Sequence, residues 1–82
     1  MEKFTATFNK KCYIQGFGRK FYKKGVELIN ITDEKGNVVT KMQKFALLSF
    51  FKNNDISQGQ KISFYAENQN GKISNIKSIQ II

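Results

Sequence analysis

The sequence predicts a small all-β domain of five strands with one short helix, on three observations. Eight Phe, three Tyr and a cluster of isoleucines in the final third supply side chains that fit a pleated surface. Apolar and polar residues alternate with period two over most of the chain. One segment alone breaks that period and shows helical spacing. At 82 residues the chain has room for a single domain, 1–82, with one modest core.

The elements follow in order. From Lys3 to Phe8, Phe4, Ala6 and Phe8 share one face and Thr5 and Thr7 the other, which is a half-buried strand. Its pattern resumes through Cys12, Tyr13 and Ile14, after a bulge expected near Asn9 to Lys11. The stretch Gly16 to Gly25, reading GFGRKFYKKG, is expected to connect the first strand to the second. Val26 to Thr32 is the second strand. Val26 and Leu28 point one way and Glu27, Ile29 and Ile31 the other, which suits a central position. Asp33 to Asn37 is a tight turn, with Gly36 and Asn37 tolerating positive φ, and Val38 to Lys44 returns as the third strand of a hairpin.

Within Phe45 to Lys52 the spacing of Leu47, Phe50 and Phe51 is i, i+3, i+4, one face of a helix about two turns long. Such a helix must be held by packing, and the segment reads as core. Lys61 to Glu67 is the fourth strand, with Ile62, Phe64 and Ala66 inward and Tyr65 outward. Asn68 to Gly71 ends in Asn-Gly, a strong hairpin signal. Lys72 to Ile82 is the fifth strand. Ile73, Ile79 and Ile81 share a phase that Ile76 breaks, so a bulge is expected between Ser74 and Lys77.

Net charge is +8, and it is localised. Residues 1–24 carry seven cations against one acid, residues 25–60 four against four, and residues 61–82 three against one. Localised positive charge favours a polyanion-binding face, with nucleic acid first. An anionic membrane surface lacks its usual reader, a long basic amphipathic helix. No apolar run approaches spanning length, and the N-terminus alternates without a signal-peptide core. Cys12 stands alone, so no internal disulfide and no cysteine zinc cluster is available. A reducing, cytoplasmic setting is expected. The absence of His removes the commonest general base, a lone Cys lacks an activator, and Gly16 to Gly18 lacks the rest of a dinucleotide fingerprint. No enzyme activity and no cofactor or metal is expected.

Three strands, a helix, then two strands is the order of a five-stranded Greek-key OB barrel, whose ligand face is built on strands two and three with the loops joining strands one to two and four to five. The chain also resembles the small OB-fold single-stranded DNA-binding proteins of bacteriophages and mobile elements. The resemblance is carried by Phe17-Gly18-Arg19-Lys20 and Tyr22, by Leu28 to Asp33, by Gly36 to Thr40, and by Gln58 to Ala66 opening strand four. It implies protection of unwound DNA during replication or recombination. The third strand offers a single ring, Phe45, where members of that family have several.

The candidate site begins in the Gly16–Gly25 stretch, where Arg19, Lys20, Lys23 and Lys24 interleave with Phe17, Phe21 and Tyr22. Cations neutralise phosphates and flat rings stack on bases. Phe21 and Tyr22 are neighbours and point opposite ways on an extended segment. Tyr22 is the better stacking ring because water satisfies its hydroxyl, while Phe17 fits either a core anchor or a platform. Lys41 and Lys44 flank the expected ligand face, Tyr65 lies on the outward phase of strand four, and Lys10, Lys11 and Lys72 add charge at the rim. The expected partner is single-stranded DNA. An RNA-binding OB module differs from this only in contacts to the 2′-hydroxyl. A protein-interaction module would instead dock a chain on the sheet edges and exposed rings, and the isoleucine-rich last strand leaves a homo-oligomer open.

Overall fold

A computed structural model describes residues 1–15 and 22–82. The strands are β1 (Glu2–Gln15), β2 (Tyr22–Thr32), β3 (Val38–Ala46), β4 (Lys61–Gln69) and β5 (Lys72–Ile81), with one helix, α1 (Ser49–Asn53), between β3 and β4. They form one antiparallel sheet in the order β3-β2-β1-β4-β5. A fourth strand returning beside the first of three consecutive strands is the Greek-key order, and it is the order expected from the sequence.

β1 is the central strand and serves two partners in succession. Its first half pairs with β4 from Glu2↔Ala66 to Thr7↔Lys61, and its pairing with β2 runs on to Gln15↔Tyr22. The core follows the period-two pattern: Phe4, Ala6 and Phe8 from β1 meet Ile62, Phe64 and Ala66 from β4. Phe51 of α1 is buried, its ring stacked on Phe8 at 5.8 Å, with Phe50 edge-on to Phe51 at 5.4 Å. The Phe-rich segment is therefore core, as expected. The helix is shorter than its periodicity suggests, because β3 continues to Ala46 and takes the first residues into the sheet.

Bulges decide which residues reach the core. In β1 the register shifts between Phe8 and Lys10, where a bulge was expected. In β2 Asn30 has φ +52° beside a shift between Thr5 and Thr7. The extra residue turns Ile31 inward, and Val26, Leu28 and Ile31 are all buried, which corrects the expected split of Leu28 from Ile31. In β5 Asn75 (φ +55°) and Ser78 (φ +56°) sit at two successive register shifts against β4. One bulge was expected and two are present. Each skips a residue, so Ile73, Ile76 and Ile79 pack on the core at intervals of three, while Ile81 is left 48% exposed.

The turns are set by local chemistry. Asp33 Oδ1 accepts from the backbone N–H groups of Lys35 and Asn37, each at 2.9 Å, and Gly36 takes φ +88°. Asn37, which would also tolerate a positive φ, does not take one. Between Gln69 and Lys72, Asn70 (φ +54°) and Gly71 (φ +90°) both have the positive φ that a type I′ hairpin requires.

The two sheet edges meet through side chains. Gln43 on β3 donates from Nε2 to the Ile73 carbonyl at 2.8 Å and accepts at Oε1 from the Ile73 N–H at 3.0 Å. The Thr40 hydroxyl donates to the Gly71 carbonyl. Among the described residues no backbone ladder joins β3 to β5, so Gln43 completes the hydrogen bonding of an edge residue whose neighbour is not a paired strand.

Candidate nucleic-acid interface

β1 and β2 continue past the body of the sheet as a two-stranded arm. β1 leaves β4 at Thr7 and pairs only with β2 from there, through Lys11↔Val26, Cys12↔Gly25, Tyr13↔Lys24, Ile14↔Lys23 and Gln15↔Tyr22. This corrects the expected connection: Tyr22 to Gly25 are strand residues. Tyr13, Ile14 and Tyr22 are good strand formers, and the ladder gives the basic residues a fixed alternation. Phe17, Arg19, Lys20 and Phe21, four of the expected site residues, lie outside the described residues.

Cross-strand partners point to the same face, and alternate residues share it. One face of the arm therefore carries Lys11, Tyr13 and Gln15 beside Tyr22 and Lys24. Tyr13 is 64% exposed and Tyr22 60%. They are diagonal neighbours, a spacing of about 7–8 Å within reach of aromatic side chains, and Tyr13 stands directly opposite Lys24. Lys11, Tyr13 and Lys24 also line an open hollow of about 270 Å³ with Cys12, Gly25 and Leu47. The Leu47 N–H donates to the Lys24 carbonyl at 3.1 Å, which ties the hollow's rim to the end of β3. Two exposed rings beside the Lys11 and Lys24 ammonium groups form a surface that can stack on bases and neutralise phosphates at once.

The opposite face of the arm carries Lys10, Cys12, Ile14 and Lys23 over Gly25. A Cβ on Gly25 would stand 2.5 Å from the Phe45 carbonyl oxygen and 2.6 Å from Ile14 Cδ1. Glycine there allows β3 and Ile14 to close on the root of the arm. Cys12 is a half-buried free thiol.

An acid sits at the same root. Glu27 is 8% exposed and accepts a hydrogen bond from Asn9 Nδ2, and Asn9 Oδ1 accepts from Gln58 Nε2 at 3.0 Å. Glu27 stands directly opposite Lys10 on one side and Lys44 on the other. Lys44 thus projects beside a fixed negative charge, which weakens its case as a free phosphate contact. Lys41 is exposed on β3, where that strand runs beside Ile29 to Ile31 and not beside the arm. Tyr65 is 43% exposed, but β4 is separated from β2 by β1, so the ring does not join the arm's tyrosines. Lys72 pairs with Gln69 beside the β4–β5 turn.

The missing member of the expected site is Tyr13. The signal for it was present as Lys11, Tyr13 and Gln15 alternating with Cys12 and Ile14. The charge is also one-sided along the molecule. Residues 8–26 contain six cations and no acid, whereas Glu2, Asp33 and Glu34 gather with Lys3 and Lys35 around a hollow elsewhere. Among the described residues no helix is long and apolar enough to cross a membrane. Comparison with protein-family models, curated proteins and solved structures returns no match.

Proposed function

We propose that this protein binds single-stranded nucleic acid, DNA in first place, without catalysis and with little sequence preference, in replication or recombination. The observation that carries this reading is the arm face that exposed Tyr13 and Tyr22 share with Lys11 and Lys24. Rings tolerate any base because every base has a π-face, and cations follow the backbone. Arg19, Lys20, Phe17 and Phe21, which lie outside the described residues, would add cations and rings of the same kinds. The free Cys12 fits a reducing, intracellular setting.

The test is fluorescence anisotropy with a labelled oligo-dT of about 16 nucleotides, the upper site size of such a domain. Tyr13→Ala and Tyr22→Ala should each weaken binding by about 1–3 kcal/mol, the range for loss of one stacked base. That is about a 5- to 150-fold change in Kd. Both rings are exposed, so the melting temperature should not move. A double variant with unchanged affinity would remove the arm from the account. Competition by RNA of equal length decides the nucleic acid: RNA winning clearly would replace DNA as the ligand.

A further inference from the structure

We infer that the outer face of β1, β4 and β5 is a second single-strand contact, so that one chain holds two segments of nucleic acid. The inference rests on the nucleic-acid reading above and adds a site to it.

Tyr65 stands directly opposite Lys3 of β1 on one side and Lys77 of β5 on the other. Opposed residues share a face, so Lys3, Tyr65 and Lys77 form one row across three strands, an exposed ring with an ammonium group on either side. Farther along the same face of β1 come Thr5 and Thr7, with Thr7 opposite Lys61. At two residues per step, Lys3 and Thr7 are about 13 Å apart along the strand. There a hollow of about 190 Å³ is lined by Thr5, Ala6, Thr7, Asn30, Thr32 and Lys61. It offers hydroxyls, an amide and an ammonium group, and no acid. Those are the groups that contact nucleic-acid phosphate and sugar. The row would stack a base and the hollow would take a phosphate of the same strand.

The two contacts are on opposite phases of the sheet. Lys3, Thr5 and Thr7 alternate with buried Phe4, Ala6 and Phe8, and Tyr65 with buried Phe64 and Ala66. The arm's Tyr22 and Lys24 instead share the phase of buried Val26. A strand stacked on the arm is therefore not laid on the Tyr65 row. Acids temper the second site. Glu67 follows Tyr65 on its face and accepts from Asn75 Nδ2 at 2.9 Å. Glu2, Asp33 and Glu34 line the hollow that Lys3 also borders. The second site should accordingly be the weaker of the two.

Calorimetric titration at low salt with an oligo-dT of about four nucleotides, too short to reach both faces, tests this. The expected result is two oligonucleotides per chain. Tyr65→Ala with Lys77→Ala should reduce this to one, and Tyr13→Ala with Tyr22→Ala should also leave one, of the weaker class. All four side chains are exposed, and unchanged melting curves would confirm that both double variants fold. One oligonucleotide per chain, lost in the arm variant and untouched in the Tyr65 variant, would overturn the second contact and leave the proposed function standing. No binding by the unsubstituted protein would overturn both.

Discussion

Glu27 is the residue whose chemistry runs against its surroundings. It lies at the root of a basic arm, 8% exposed, between Lys10 and Lys44. A carboxylate there is kept in place by Asn9, which Gln58 orients in turn, and it offsets charge that a polyanion would otherwise meet. Glu27→Gln keeps an acceptor for Asn9 and removes the charge. Affinity for single-stranded DNA should then rise by about 0.5–1 kcal/mol, the upper range for one modest ion-pair contribution, a few-fold in Kd by anisotropy. Weaker binding by a folded Glu27→Gln variant would mean that the acid organises the site instead of opposing it. Tyr22 was legible in the sequence as the better stacking ring of its stretch because water satisfies its hydroxyl. Tyr13 was legible only in part: it alternates with Cys12 and Ile14, but those neighbours make the segment read as an apolar strand. Its cross-strand partner, Lys24, places it on the basic face, and partners across a sheet are a tertiary property.

At the scale of elements, the strands were legible and their phases were not. Period-two alternation located all five strands and helical spacing placed α1. A bulge, however, shifts every later residue of a strand to the other face. Ile73, Ile76 and Ile79 are spaced by three, which no regular strand can bury on one side. Asn75 and Ser78 at positive φ make it feasible, and Asn is one of the few residues that adopts that conformation readily. The same holds for Asn30 and Ile31. The arm was misread as a loop because Lys23, Lys24 and Gly25 are poor strand formers, and pairing with β1 overrides that preference. Gln43 is an element-scale device that pattern reading passes over. Gln43→Ala should remove both bonds to Ile73 and cost about 1–3 kcal/mol, two ordinary hydrogen bonds. That corresponds to a fall in Tm of about 4–8 °C per kcal/mol for a domain of this size. Hydrogen exchange at the Ile73 amide should quicken selectively. Unchanged protection at Ile73 would show that the edges of β3 and β5 are held by other contacts.

At the scale of the whole molecule, charge and shape are coupled. The longest dimension is 40 Å, and β1, at 14 residues, runs about that far. Its two ends carry opposite characters, a basic tyrosine arm and a mixed-charge rim at Glu2, Asp33 and Glu34. A polyanion would be steered to the arm. A domain of this size has a stability of about 4–12 kcal/mol, and Phe4, Phe8, Phe51 and Phe64 provide much of its core. The exposed strand residues of the arm are not part of that core, so substitutions there should leave the fold intact. The most direct measurement is the affinity for oligo-dT at about 50 and about 200 mM salt, with and without replacement of Lys11 and Lys24 by Ala. If each of the two meets one phosphate, they contribute a slope of about −1.4 in log affinity against log salt, or about a seven-fold loss over that range. The account predicts tight binding at low salt and a slope that flattens by about this amount in the variant. No binding at low salt, or a slope that the two substitutions leave unchanged, would contradict it.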